Sequence, residues 1–345
     1  MKALQYVAPR DVRYGDMPDP RIEDARDIVV KIDRCGICGS DLHIYHGDKL
    51  RDDAGFCIGH EAIGEVVETG RAVTRLKAGD RVLIPASVGC GACVHCLAGN
   101  VLKCSNDVEY CYGLSSRLQG CQAEGMRVPA GDFNAVPMPE GITPDQAIML
   151  TDNLPTAWFG CRNADIAPGG TVAIVGLGSI GLMAVEAAFV LGAATVFAID
   201  LVAERRAVAA SLGAIALGPE DAADVIRDAT DGRMADSVVE AVGLEKTIAL
   251  AVRLAGKQAS VSIIGVNMNR RMEFPMARVF VNGLTLRSGM CPVARQFGEL
   301  VPLIQQGRLH PERFVTDVLP LSQGAQAYAR FDAREEGTLK MILVP

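Results

Sequence analysis

Two short stretches of this chain carry side chains suited to binding a metal. Gly36-Ile37-Cys38-Gly39-Ser40-Asp41-Leu42-His43 is answered by Gly59-His60-Glu61. Cys38 and His60 offer a thiolate and an imidazole, donors that zinc prefers, but two donors do not close a tetrahedron. A third ligand has to come from elsewhere, and a fourth position is left for water or substrate. Zinc with an open position is a Lewis acid, so the pair is a candidate for catalysis.

A second cluster has the opposite character. Cys90, Cys93, Cys96 and Cys104 follow the spacing C-x2-C-x2-C-x7-C. Four thiolates close the coordination sphere and leave no vacancy, which makes a structural zinc site. Buried free cysteines, His95 in place of one sulfur, and a nucleic-acid-binding zinc ribbon are the other readings of this segment. The net charge of −7 argues against the ribbon, because nucleic-acid binders usually show a basic patch.

A third motif is made of glycine. Thr171-Val-Ala-Ile-Val175 is a continuous apolar strand, followed by Gly176-Leu-Gly178-Ser-Ile-Gly181 and then by helical apolar spacing from Leu182 to Leu191. A lone GxGxxG is weak evidence. Here it sits between strand and helix, and the next strand, Thr195 to Ile199, ends at Asp200. The glycines allow a tight turn and bring backbone N–H groups at a helix N-terminus close to a pyrophosphate. Asp200 stands where a carboxylate meets the ribose hydroxyls, and it repels a 2′-phosphate. NAD is therefore expected over NADP, although Arg205 and Arg206 lie near enough to soften the repulsion.

The elements that must position these groups follow from composition and pattern. At 345 residues, 49% hydrophobic and 22% charged, the chain is an ordinary globular protein with room for two domains. Residues 1 to about 150 read as short strands broken by Gly and Pro turns, among them Ile28 to Ile32, Ala62 to Val67 and Asp80 to Ile84. From Thr171 the rhythm becomes strand, helix, strand. Helical patterns cover Ala203 to Leu212 and Leu244 to Ala255; strands cover Asp236 to Glu240, Ser260 to Ile264 and Leu284 to Ser288. That alternation predicts a doubly wound parallel sheet with ligands at the carboxyl ends of its strands. A helix from Ala294 to Gln306 and a final strand from Gly337 to Val344 complete the pattern. The N-terminus lacks the apolar core of a signal peptide, and no apolar run is long enough to cross a bilayer. Eleven cysteines, four of them crowded together, mean metal before disulfide in a reducing compartment. The cytoplasm is the expected location.

Taken together, these residues resemble the zinc-dependent medium-chain dehydrogenases of the alcohol dehydrogenase family, in order and over nearly the whole chain. The resemblance implies an α/β fold: a chaperonin-10-like β-rich catalytic domain, residues 1–153 plus 292–345, with a structural-zinc lobe at 88–106, and a Rossmann doubly wound parallel-sheet domain, residues 154–291. It implies two Zn²⁺ per subunit. Cys38 and His60 match two catalytic ligands. Asp152, in Leu-Thr-Asp-Asn-Leu-Pro-Thr, matches the third ligand of a branch that uses aspartate; from local sequence alone it reads as an ordinary helix cap.

The resemblance implies further roles. Ser40 bonds the substrate oxygen, His43 ends a proton relay, Asp41 orients the ligating histidine and Glu61 can approach the zinc. Ile180, Arg205, Val242, Gly265, Val266 and Ser288 contact the nucleotide, and Lys340 reaches its pyrophosphate. Gly39 stands where the mammalian-type enzymes have a phosphate-binding Arg. Ala86 and Ser87 fall where bulkier residues narrow the pocket in ethanol-preferring relatives, so a wider pocket is expected. The implied activity is hydride transfer between NAD and an alcohol, secondary or bulky primary, giving a ketone or aldehyde. A polyol or threonine dehydrogenase of the same superfamily is the first rival. A non-catalytic nucleotide-binding protein with structural zinc only is the second, and zinc-free quinone reductases are disfavoured by Cys38, His60 and the four cysteines. The expected partners are a small alcohol or carbonyl compound and further copies of the chain, a tetramer before a dimer, with no nucleic acid or membrane.

Overall fold

The computed structural model describes residues 1–48, 53–106 and 108–345. The chain divides into two compact units, Met1–Pro155 with Cys291–Pro345, and Thr156–Met290. Among the described residues no helix is long and apolar enough to cross a membrane.

The first unit is organised around the strand Ile28–Ile37. Its β-branched run suits a pleated, buried surface, and Ile28, Val30, Ile32 and Ile37 are all buried. One edge of this strand pairs antiparallel with Ala62–Thr69. The other edge is shared by Gly125–Val128 and Met341–Val344. Strands Asp317–Pro320, Arg81–Ile84 and Val136–Pro137 extend the same sheet, and Lys2–Ala8, Asp11–Asp16 and Phe56–Cys57 form a second, three-stranded one. Leu4, Tyr6, Val66, Val82, Ile84, Tyr328, Met341 and Leu343 close the core between them. Each such side chain taken from water is worth about 1.5–3 kcal/mol.

Register in this sheet has a direct consequence for function. Cys35 lies opposite Ala62, and the N–H of Gly36 donates to the carbonyl of Glu61 at 3.0 Å. The residue that leaves one strand, Cys38, is thereby set beside the residues that enter the next, His60 and Glu61.

The second unit holds six strands: β1 (Thr171–Val175), β2 (Thr195–Ile199), β3 (Ile215–Leu217), β4 (Ala235–Glu240), β5 (Ala255–Ile263) and β6 (Thr285–Ser288). All pair in parallel, in the order β3-β2-β1-β4-β5-β6. This is the doubly wound order of dinucleotide-binding sheets, which reverses direction between β1 and β4. The helix after β1, Ser179–Val190, is apolar on nearly every side and buries Leu182, Met183, Val185, Ala187 and Ala188. Some boundaries differ from the sequence pattern: the last strand begins at Met341, and a 3-10 turn, Val293–Gln296, precedes the helix Phe297–Gln305. The helix Glu245–Leu254 stops short of Ala255, which adopts extended backbone and begins β5 at once, opposite Ala235.

Candidate metal centre

The strand register brings Cys38 and His60 together, and a second segment closes on them. The helix Pro144–Leu150 starts from a capping box in which the hydroxyl of Thr143 accepts from the Gln146 N–H while Gln146 reaches back to the Thr143 N–H. It ends in a turn at Thr151, whose carbonyl accepts from the Ala86 N–H at 2.9 Å. Asp152 follows. Its Oδ2 lies 3.3 Å from Cys38 Sγ and 3.4 Å from His60 Nε2. Asp152 directly precedes the helix Asn153–Asn163, so it stands at a helix start and among the metal donors at once. One donor atom each from Cys38, His60, Glu61 and Asp152 falls within 4.8 Å of the others, and Cys38, His60 and Glu61 are buried.

The surroundings fix the orientation of each donor. Asp41 Oδ2 accepts from the Cys38 N–H at 2.9 Å, and Asp41 Oδ1 lies 3.0 Å from His60 Nδ1, although off the straight line of a good hydrogen bond. Nε2 is left as the nitrogen that faces Asp152 and also Ser40, whose Oγ is 3.3 Å away. The His43 side chain is half-buried, with Nδ1 3.5 Å from an oxygen of Asp48. Glu61 is fully buried, one oxygen on Lys340 Nζ and the other accepting from Asn153 Nδ2 at 2.6 Å.

The electrostatics suit a cation. Burial first, and then the charge of Asp152, push the Cys38 thiol above its ordinary value. Burial also raises the Glu61 carboxyl, with Lys340 opposing it. A thiol and two carboxyls crowded out of water are costly on their own. A divalent ion would offset them, so the donor set fits zinc: sulfur, imidazole nitrogen and carboxylate oxygen, with a position to spare.

The second cluster fits more tightly still. Sγ–Sγ separations are 3.9 Å for Cys90–Cys96 and for Cys93–Cys104. A tetrahedron with Zn–S bonds of about 2.3 Å has sulfur–sulfur edges of about 3.8 Å. Backbone N–H groups of Ala92 and Cys93 point at Cys90 Sγ, each at 3.4 Å. Donation from the Cys96 and Ser105 N–H groups brings the Cys93 thiol down to about 5. His95 is not part of the cluster, which consists of four sulfurs.

The glycine motif occupies the turn from β1 into its helix. Gly176 has φ +92°, and a Cβ there would fall on Val242; a Cβ at Gly181 would fall on the Gly176 carbonyl. At Gly178 a Cβ would meet nothing within 4 Å, so this backbone is left open to a ligand. Ile180 and Gly181 lie in the first turn of the helix. Asp200 follows the end of β2; its Oδ2 accepts from the Leu177 N–H at 2.7 Å and its Oδ1 from the Val202 N–H at 2.8 Å. Arg205 lies on the helix Ala203–Ser211, and Arg206 donates to the carbonyls of Asp200 and Leu201. Val242 follows β4, Gly265 and Val266 follow β5, and Ser288 ends β6. These residues therefore share the carboxyl ends of the parallel strands.

Lys340 is placed differently from the expectation. Its side chain is fully buried, and its ammonium is engaged by Glu61 and, at 3.1 Å, by the Ile37 carbonyl. It belongs to the metal centre, because the strand Met341–Val344 pairs with Ile28–Ile37 and turns the preceding residue inward. Two polar residues were not foreseen. Asn153 reaches Glu61, as above, and Gln122 donates to the Gly36 carbonyl at 2.9 Å while accepting from Tyr328 Oη at 3.0 Å. Asn153 directly follows Asp152; nothing local marks Gln122.

Residues 24–140 match the family "Alcohol dehydrogenase GroES-like domain" and residues 179–306 match "Zinc-binding dehydrogenase". A Mycobacterium tuberculosis protein named "probable zinc-binding alcohol dehydrogenase" is 40% identical over 100% of this chain and 89% of its own length. Among solved structures, the alcohol dehydrogenase TADH of a Thermus species superposes with TM-score 0.92 at 36% identity, covering 100% of this chain and 99% of that one. A candidate zinc-binding dehydrogenase of Sinorhizobium meliloti, solved with NADP bound, does so with TM-score 0.85 at 27% identity, covering 100% and 99%. The chain belongs to the zinc-dependent medium-chain dehydrogenase/reductase family, the alcohol dehydrogenase family. It is an oxidoreductase of that superfamily.

Proposed function

We propose that this protein is a zinc-dependent, NAD-linked dehydrogenase that interconverts secondary or bulky primary alcohols with ketones or aldehydes. The observation that carries the reading is the convergence of Cys38 Sγ, His60 Nε2 and Asp152 Oδ2 in a buried cluster. Zinc held by these three residues supplies Lewis acidity that lowers the pKa of an alcohol, and a nicotinamide supplies the hydride acceptor. The protein's own side chains do the rest. Ser40 Oγ, beside His60 Nε2, accepts the alcohol proton and His43 hands it on toward solvent. Cys38 and Asp152 bring two negative charges to the ion, which tempers its acidity and suits a reversible reaction. Asp41 keeps the imidazole in one tautomer.

Asp200 favours NAD because its carboxylate accepts from a free 2′-hydroxyl and repels a phosphate there. The small side chain of Ala86, tied by its N–H to Thr151 beside Asp152, favours a wider substrate. A polyol dehydrogenase using Glu61 as ligand is the second reading; both oxygens of Glu61 are engaged by Lys340 and Asn153, which favours Asp152. We also expect a homo-oligomer, a tetramer before a dimer, in the cytoplasm.

The test is metal analysis with a panel of primary, secondary, cyclic and aromatic alcohols, sorbitol and threonine, run with NAD and NADP in parallel. Two zinc ions per chain and preferential oxidation of secondary alcohols with NAD support the proposal. One zinc and no oxidation of any alcohol would sink it.

A further inference from the structure

Asn153 has no part in the mechanism above, yet its surroundings are unusual for a neutral side chain. It is fully buried. Its Nδ2 lies 2.6 Å from Glu61 Oε1, 3.4 Å from Asp152 Oδ2 and 3.6 Å from Cys38 Sγ. A carboxamide nitrogen has two hydrogens to give. Here it faces three acceptors, all on acidic side chains, and the shortest contact is to the carboxylate of Glu61. Hydrogen bonds to an ionised acceptor are shorter and roughly twice as strong as neutral ones.

Glu61 is consequently held at both ends. Lys340 Nζ takes Oε2 and Asn153 takes Oε1. A cation on one side alone would leave the other oxygen buried without a donor, and an unsatisfied buried acceptor seeks the nearest positive charge. In a loaded centre that charge is the metal.

We propose that Asn153 is a positioning residue that restrains Glu61, the fourth member of the cluster, keeping its carboxylate away from the vacant coordination position. The inference rests on the reading of Cys38, His60 and Asp152 as metal ligands. On that reading four donors would act as three plus a vacancy, with Glu61 tied back by Lys340 on one oxygen and by the uncharged Asn153 amide on the other.

The experiment uses the full chain loaded with Co²⁺, whose visible absorption reports coordination. Asn153→Leu keeps the branched shape and removes the amide. Its Co²⁺ absorption is expected to differ from the parent's, with kcat lowered about 10–100-fold, the range seen when groups supporting metal ligands are removed, while two metals per chain are retained. In a Glu61→Gln background the same substitution is expected to leave the spectrum unmoved, because the carboxylate it releases is gone. Should Asn153→Leu not fold, Asn153→Ala removes the same donors without adding a charge or a metal donor and is read in the same way. An Asn153 variant whose spectrum and kcat match the parent's overturns the proposal, as does a spectral change that persists with Glu61→Gln. If the parent itself holds only the metal of the four cysteines, the underlying reading of the centre fails and the proposal with it.

Discussion

Asp41 holds two metal-site residues with one carboxylate: its Oδ1 lies 3.0 Å from His60 Nδ1 and its Oδ2 accepts from the backbone N–H of Cys38 at 2.9 Å. A hydrogen on Nδ1 leaves the lone pair on Nε2, the nitrogen turned toward Asp152. Asp41→Ala frees the ring to rotate and change tautomer. Metal affinity at this centre is expected to fall about 10–100-fold, measured by competition with a chelator. Parent-like affinity would show that Asp41 is ordinary packing.

Removal of a ligand separates chemistry from nucleotide binding. Cys38→Ser and Asp152→Ala are expected to abolish turnover while the protein still binds NADH, followed by nicotinamide fluorescence. The residues expected to bind nucleotide lie in a unit with its own sheet and core, so loss of a ligand in the other unit leaves them standing. Full activity in either variant refutes the assignment.

The buried pair of Glu61 and Lys340 is a point of vulnerability. Removing one partner strands the other, at a cost of about 3–5 kcal/mol for a buried ion pair. Lys340→Met is expected to lower the denaturant midpoint accordingly. Gly36→Ala should do so too, because a Cβ at Gly36 would fall on Glu61 Oε2 and crowd Lys340 Nζ. An unchanged midpoint in both would mean that water reaches Glu61.

Much of this arrangement is legible in the sequence, and the reasons are physical. Cys38 and His60 stand out because thiolate and imidazole are donors that zinc prefers, and the glycine turn stands out because only glycine tolerates the backbone at 176 and the contact at 181. Asp152 is different. Its local surroundings are those of a helix start, and only the closing of a distant segment onto Cys38 makes it a candidate ligand. The pyrophosphate role of Lys340 comes from the resemblance alone, and its burial against Glu61 is not visible in the sequence. Gln122 and Asn153 act through contacts 86 and 92 residues away, which no local pattern encodes. Strand β3 escapes the pattern because three residues are too few to show a period.

The proposed preference for NAD rests on Asp200. Its carboxylate accepts the Leu177 and Val202 N–H groups, so it braces the glycine turn whatever it does at a ribose. Asp200→Ala is expected to weaken NAD binding and to narrow the ratio of NAD to NADP use, read from kcat/KM with each cofactor. A variant that keeps the parent's ratio would place discrimination elsewhere.

The four-cysteine lobe is expected to hold metal for stability rather than turnover. Cys93→Ser should lose one zinc per chain and lower Tm, with kcat per remaining catalytic metal little changed in the surviving folded protein. A variant that keeps both zinc ions would reject the tetrahedral assignment.

The strand that carries Lys340 to Glu61 comes almost at the end of the chain, whereas its pairing partner Ile28–Ile37 comes near the beginning. Glu61 and Lys340 stand 279 residues apart, so the buried carboxyl gains its cation only when that long loop has closed. Peeling the strand Met341–Val344 away from Ile28–Ile37 would reach the candidate metal centre as surely as a mutation among its ligands.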